Sequence, residues 1–491
     1  MTGTDNTKQA AWIAIGSLFS FGFGIVSSMI LSRYFNKGDY GTYKQVLYIY
    51  HTLLTVFTLG LPKAYSFFLP RSPISQAKSI IRKITRLFYV LGGVFSLLLF
   101  FGAAFIADIM NNQDLTLALR IFAIVPLLML PTMGLEGILA TYRKTKFMAI
   151  YTIVTRIVML LCVALPVVFF NVGYIGSIIG FVISSFVAFL LALYFKYLPV
   201  RDQVDDSSDI TFREIFQFSI PILFASLWGM LINSTDQFFI SRYFGTEAFA
   251  EFSNGAIEIP FISMIIGSSA AVLTPLLSGK MDNFAKEKAS IESLWKNSLL
   301  KSIMMIYPMI VFFILDANLI MTTLYGSSYE VSGDYFIIKS LINIVKVVPF
   351  YPFLISFGAV KLYSRSMMYT FILMALLEYM SICFIPNPLV VAGIHTLCLM
   401  CQYGFFVAYI AHHILCVGIN KMVPWKGIFQ ILIFSVVSIL LVRVLDNYLL
   451  QGLHDLIRIC LHITIYSIFY LIICQLFKLD YLQLVKPLFK R

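Results

Sequence analysis

Charge is what this chain has least of. Only 12% of its 491 residues are Asp, Glu, Lys or Arg, about half the share of an ordinary soluble domain. A water-soluble fold is therefore excluded, and 59% hydrophobic residues with a mean hydropathy of +0.87 point to a membrane protein. A cleavable leader is also missing. "MTGTDNTKQ" holds one lysine and the apolar run after it is span length with no A-x-A site, so the first helix is expected to stay as an anchor. No outer loop exceeds roughly two dozen residues, which leaves no room for an extracytoplasmic catalytic or receptor domain. Soluble-enzyme signatures are lacking too: there is no P-loop, no zinc pattern and no Gly-x-Ser-x-Gly elbow, and nothing pairs with His412-His413. All seven cysteines lie in or beside apolar runs. Cys398-x-x-Cys401 has no second ligand pair, so it reads as apolar packing rather than a redox or zinc site.

Long apolar runs are what the chain does have. A helix crossing the hydrocarbon core needs about 20 apolar residues, whereas a barrel strand needs only about 10 in alternation. About fourteen runs of helical span length follow one another from Gln9–Ser32 to Ile459–Phe477. With the N-terminus in the cytoplasm, the inner loops carry 25 lysines and arginines and the outer loops 8. The positive-inside rule then puts both termini on the cytoplasmic side and requires an even number of spans. The net charge of +12 is thus topology and not a nucleic-acid footprint.

"LPVRDQVDDSSDITFRE" is the one soluble-looking stretch inside the chain. It divides a six-helix lobe (1–197) by a cytoplasmic linker (198–214) from a second lobe (215–414), with two further helices and a basic tail behind (415–491). Ser-Arg-Tyr-Phe occurs twice, with Arg33 and Arg242 both at the outer end of the first span of a lobe. A different offset pairs Pro131, Gly137 and Tyr142 with Pro352, Gly358 and Tyr363 in the fourth spans, the extra length being assigned to a loop at "SGKMDNFAKEKASIESLWKN". Repeats of six spans run parallel, with an axis along the membrane normal and a cavity between them.

Three basic residues remain off the loops: Lys63, Arg156 and Lys346. Lys63 sits near a span end, where its stem can snorkel. Arg156 and Lys346 are near mid-depth, where a charge costs about 2.5–3.5 kcal/mol and needs a partner or a wet cavity. The acids inside spans are Glu136, Asp236, Glu258 and Glu378. Arg156 and Glu378 fall at related places of the two halves, either as a structural ion pair or as a cationic patch with an acid that takes a proton. In the seventh span Ser219, Ser226 and Asn233 recur every seven residues, and Asp236 and Gln237 continue that face; such polarity favours a lumen-lining helix. The second span offers Lys44, Tyr48, His51 and Thr55, and the eighth Glu251, Asn254 and Glu258. Pro126, Pro131, Pro221, Pro349 and Pro352 mark bends.

"LSRYFNKGDYGTY" and "FISRYFGTEAFAEFSNGAIEIP", with "LGLPKAYSFFLP" and "GLEGILATYRKTKF", resemble stretches of the bacterial polysaccharide flippases, the Wzx-like branch of the multidrug/oligosaccharidyl-lipid/polysaccharide exporter superfamily. The resemblance covers residues 9–414 and implies an all-α polytopic membrane protein with about fourteen transmembrane helices: two pseudo-symmetric six-helix lobes around a central cavity, plus two C-terminal helices. It further implies a protein of the bacterial cytoplasmic membrane, not an enzyme, that flips an undecaprenyl-pyrophosphate-linked glycan by alternating access. No cofactor is implied beyond a coupling H+ or Na+; the partners are the lipid-linked glycan, membrane lipids and other polysaccharide-assembly proteins. Lys44, Arg156 and Lys346 would neutralise the pyrophosphate in a polar cavity that also holds His51 (otherwise a lone satisfied histidine), Asn233 and Gln237 would hydrogen-bond the sugars, and Asp236, Glu258 or Glu378 would exchange the coupling ion. Lipid II flippases of the superfamily carry arginines in the first helix and multidrug antiporters an acid there; both are absent between Gln9 and Ser32. Fourteen spans nevertheless favour the lipid II type. The final pair is either a groove for the polyprenyl tail or a packing appendage. A membrane polymerase or glycosyltransferase is the reading from another class.

Overall fold

A computed structural model describes residues 3–259, 261–280, 284–477, 479 and 481. Among these the chain is all helix, with no strand. The spans are α1 (Ala11–Tyr34), α2 (Lys37–Arg71), α3 (Ile74–Ile109), α4 (Leu115–Thr141), α5 (Thr145–Phe170), α6 (Tyr174–Val200) and α7 (Phe212–Gly255). After them come α8 (Ile262–Ser278), α9 (Lys286–Leu315), and α10 in two pieces, Val331–Lys346 and Phe350–Ser356, bent by 44°. Then follow α11 (Val360–Phe384), α12 (Pro388–Ile414), α13 (Trp425–Leu450) and α14 (Asp455–Leu476). Among the described residues twelve segments are long and apolar enough to cross a membrane, thirteen with the bent pair, while α8 has only 17 residues. Rings such as Phe101, Phe170 and Phe384 stand about three-quarters exposed, as lipid-facing side chains do.

Some boundaries differ from the sequence expectation. The run Leu299–Met321 breaks where Asp316 follows the end of α9, and a separate short helix, Ala317–Tyr325, comes next. "SGKMDNFAKEKASIESLWKN" is mostly the amphipathic first turns of a helix rather than a loop, with residues 281–283 outside the described set. Lys361 and Arg365, expected on a loop, lie in the opening turns of α11. The basic tail falls almost wholly outside the described residues.

The chain forms two compact units, Met1–Ala250 and Glu251–Arg491. Within the first, both Ser-Arg-Tyr-Phe copies end a helix. After the first, Asn36 caps the next helix by accepting from the Asp39 N–H at 2.7 Å. After the second, Gly245 breaks helical geometry with φ 84°. The two helix starts beyond these breaks then meet: a Cβ on Gly41 would lie 2.0 Å from the Thr246 carbonyl oxygen. Beside this backbone-to-backbone seam, Gln45 donates to Ser241 Oγ at 2.7 Å, and Asn112 donates to Gln45 Oε1 at 2.6 Å and to Thr42 Oγ1 at 3.0 Å. Arg242 turns to the end of α3 and donates to the carbonyls of Ile109 and Asp108. A cation on the last carbonyls of a helix answers both its unpaired acceptors and its dipole.

The end of α3 has its own counterpart. Phe105-Ile106-Ala107-Asp108 is matched by Phe313-Ile314-Leu315-Asp316, 208 residues on, at the end of α9. In the second unit Arg443 donates to the Leu315 carbonyl. Both third helices of the repeat therefore end on an arginine. Left-handed glycines occur within α4, at Gly134 (φ 76°), and between α10 and α11, at Gly358 (φ 71°).

The linker is tied down by the start of α3. Lys78 donates to the Arg201 and Gln203 carbonyls, Lys83 to those of Ser208 and Ile210, and Arg82 pairs with Asp205 at 2.6 Å. It ends in a capping box: Thr211 N–H donates to Glu214 Oε2 at 2.7 Å, and Glu214 N–H donates back to Thr211 Oγ1 at 3.2 Å. Thr211→Ala is expected to lower the stability of the detergent-solubilised protein by about 1 kcal/mol, read as a small drop in melting temperature. A melting curve that does not move would mean the cap is dispensable there.

Candidate functional site: charged residues within the spans

Each unit holds its own set of intramembrane charges. In the first, Lys44 rises from α2 and donates to Ser28 Oγ of α1 at 3.1 Å, with its ammonium 5.2 Å from the Tyr40 ring. His51 lies two turns further along the same helix, and the charges of Arg156 and Lys44 both act on it. Arg156 is half-buried on α5, where Nη1 lies 3.6 Å from Met159 Sδ, a weak acceptor. Three of the residues expected to line the cationic and polar cavity thus share one neighbourhood. Opposite them α7 meets α2: Tyr48 donates to the Ser234 carbonyl at 3.0 Å, and the hydroxyls of Thr52 and Ser234 are 3.3 Å apart. Asp236, also on α7, is buried, accepts from the Gln237 N–H at 2.8 Å, and its charge reaches Tyr48. Asn233 is exposed, and Gln237 donates to its carbonyl at 2.9 Å. The residues of the heptad spacing differ in exposure: Ser219 and Asp236 are buried, whereas Ser226 and Asn233 are exposed.

In the second unit Lys346 closes the first piece of α10, where a cation suits the helix C-terminus. The break follows from Pro349, which supplies no N–H to continue the ladder and disfavours helical geometry in the residue before it. Lys346 Nζ is 3.2 Å from Glu258 Oε1. A residue assigned to substrate and one assigned to ion exchange therefore form one ion pair. Beside it a cavity of about 130 Å³ is lined by Lys346, Ser269, Pro349, Tyr351 and Tyr403.

Glu378 stands apart from that pair. It is fully buried on α11, and its charge reaches Cys398 on α12. One turn before Cys398, the buried His395 holds Lys339 Nζ at 3.0 Å from its Nδ1. Lys339 was expected on an outer loop but belongs to a helix of α10, its ammonium 5.8 Å from the Phe252 ring. Lys196 needs a larger correction. Counted with the loop cations, it is fully buried at the end of α6, donating to Tyr65 Oη at 3.0 Å and Thr85 Oγ1 at 3.4 Å and facing the Tyr65 and Phe88 rings. A lysine one residue from a helix end looks solvated in sequence; only packing shows that α2 and α3 cover it.

Sequence reasoning also missed Asp316, Asp446, Arg458 and His462, which converge in the second unit. The available signal was spacing: Arg443 and Asp446 are three apart, Arg458 and His462 four, so each pair shares a helix face.

Residues 7–281, more than half the chain, match the family described as polysaccharide biosynthesis protein. The chain belongs to that family. No curated protein matches it by sequence. Among solved structures, this family member is similar to the lipid II flippase MurJ in an inward closed conformation, with 15% identity, 96% of this chain and 99% of that one covered, and a TM-score of 0.71. An inward-facing multidrug resistance MATE family transporter gives 12% identity, 82% and 98% coverage and a TM-score of 0.61. A MOP superfamily transporter from Pyrococcus furiosus gives 12%, 83% and 96%, with 0.58. At such identities these show a shared fold, that of the MOP exporters. The expected all-α polytopic class holds, and the family and its structural neighbours are transporters and flippases rather than enzymes.

Proposed function

We propose that this family member translocates a polyprenyl-pyrophosphate-linked oligosaccharide, built on undecaprenol, across the bacterial cytoplasmic membrane. The observation that carries this reading is the cluster of Lys44, His51 and Arg156 inside a chain of the polysaccharide biosynthesis family. Cations held at membrane depth are costly unless they meet an anion, and a pyrophosphate headgroup brings about two negative charges. Asn233 and Gln237 lie on the helix facing that cluster and present amides to sugar hydroxyls. Two six-helix lobes alternate access around the substrate, and both termini stay in the cytoplasm. Other polysaccharide-assembly proteins would pass the substrate on.

The Glu258–Lys346 pair refines the role of its two members. An arriving diphosphate competes with Glu258 for Lys346, and the released carboxylate is then free to take up H+ or Na+. Glu258→Gln is expected to tighten binding of the lipid-linked substrate several-fold and to weaken its dependence on the ion gradient, while Lys346→Gln weakens binding. Equal affinity of both variants and the parent would remove the pair from the mechanism. Asp236 and Glu378 are the other carboxylates for ion exchange.

A lipid II-type flippase is the second reading, favoured by the MurJ fold match over 96% of the chain. Purified protein in proteoliposomes, offered a fluorescent lipid-linked sugar, lipid II and a cationic dye in parallel, separates these readings. Movement of the dye alone would point to a drug antiporter and overturn both.

A further inference from the structure

The last helix pair carries a buried charge cluster that substrate translocation leaves unused. His462 of α14 is 2% exposed and lies between two carboxylates. Its Nδ1 is 2.9 Å from Asp316 Oδ2. Its Nε2 is 3.0 Å from Asp446 Oδ1, close enough for an ion contact although too bent for a straight hydrogen bond. A neutral imidazole has one N–H and one lone pair, so either tautomer would aim a lone pair at a carboxylate oxygen. The doubly protonated ring satisfies both sides. We infer that His462 is a proton-binding site whose proton fastens α13 and α14 to the end of α9.

The surroundings fit that reading from every side. From the end of α9 comes Asp316, and from α13 come Asp446 and Arg443, whose guanidinium is 3.9 Å from Asp316 Oδ1. On α14 itself, Arg458 grips both Asp446 oxygens, with Nε 2.6 Å from Oδ1. Asp455 acts on Arg458, and Tyr466 spends its hydroxyl on the Pro308 carbonyl at 2.8 Å. Helix Ala317–Tyr325 offers the neutral Asn318 to the site, and α10 offers Ile337. Each carboxylate thus has an arginine partner and shares the single histidine: Asp316 meets Arg443 and His462 through different oxygens, and Asp446 meets Arg458 through both oxygens and His462 through Oδ1. Loss of the proton would leave the five groups balanced in number and would still set a lone pair against a carboxylate in a buried place, where that contact is costly. Among the described residues no His, Cys, Asp and Glu side chains are grouped to hold a metal ion. A cavity of about 540 Å³, lined by Asp316, Asp446, Arg443, Arg458 and His462, gives water a route in. The alternate-loop charge count puts this end outside, so the proton exchanges with the outer medium.

Because the fastened form binds the proton more tightly than the released form, fastening is complete at low pH and is lost as pH rises. The test is amide hydrogen exchange across residues 446–455 of the full-length protein in nanodiscs, corrected for the intrinsic pH effect. Protection is expected to fall about tenfold or more between about pH 6 and about pH 8.5. His462→Gln should show the low protection at both values, and Asp316→Asn, which replaces one carboxylate by an amide of the same shape, should flatten the profile. Protection in the parent that ignores pH would overturn the proposal. So would the parent's full pH response persisting in His462→Gln or, if that variant does not fold, in Asp316→Asn.

Discussion

Arg156→Ala is expected to slow translocation of a lipid-linked glycan in proteoliposomes by about thirty-fold or more. Two unit charges about 4 Å apart attract by about 4 kcal/mol at an effective dielectric of about 20, and water in the site will take part of that away. The remaining 2–3 kcal/mol, roughly, corresponds to about 30- to 150-fold. Among the described residues Arg156 makes one polar contact of note, the weak one to Met159 Sδ, so its removal disturbs little else there. Arg156→Lys keeps the charge but loses the planar fork and should fall between the two. A melting temperature close to that of the parent would confirm that the loss is functional. Arg156→Ala flipping substrate at the parental rate would remove the cationic cluster from the proposed mechanism.

Gly41→Ala should have the largest effect on stability. A methyl there would sit 2.0 Å from the Thr246 carbonyl oxygen and 2.6 Å from its carbon, so the obstacle is backbone and cannot rotate away. The starts of two helices would have to separate, taking with them the Gln45–Ser241 and Asn112–Gln45 hydrogen bonds. Overpacking alone costs about 1–3 kcal/mol, and buried polar groups left unpaired cost about 1–3 more. The expected result is poor recovery from membranes and a melting temperature lowered by several degrees. Gly93→Ala is the control. It lies in α3 with nothing within 4 Å of the added Cβ, and it should be neutral or gain up to about 1 kcal/mol from helix propensity. If both variants melt with the parent, the tight seam at Gly41 is wrong.

Most of the apolar runs became single helices, because a span is specified by length and apolarity within one segment; the exceptions break at Asp316 and before Pro349. The doubled Ser-Arg-Tyr-Phe likewise marked two real helix ends, since caps and breaks are set by a few adjacent residues. Arg242 shows where that kind of reading stops. Its place at the edge of a span was visible in sequence, but its work on the α3 carbonyls depends on a helix more than a hundred residues away. The heptad spacing of α7 was legible for the same local reason, and its division into a buried Asp236 and an exposed Asn233 was not.

By itself the sequence determined the membrane class, the helical spans and their order, and the intramembrane charges that demand explanation. All of these follow from free energies of transfer and hydrogen bonding that each segment settles alone. Which charges meet was decided by tertiary structure. Lys44, His51 and Arg156 come from two helices, Glu258 and Lys346 are 88 residues apart, and Asp316 reaches His462 across 146. Lys196 reads as a solvated helix end until Tyr65, Thr85 and Phe88 close over it. A charge in a low-dielectric interior is defined by its partners, and partners distant in sequence are chosen only when the helices pack.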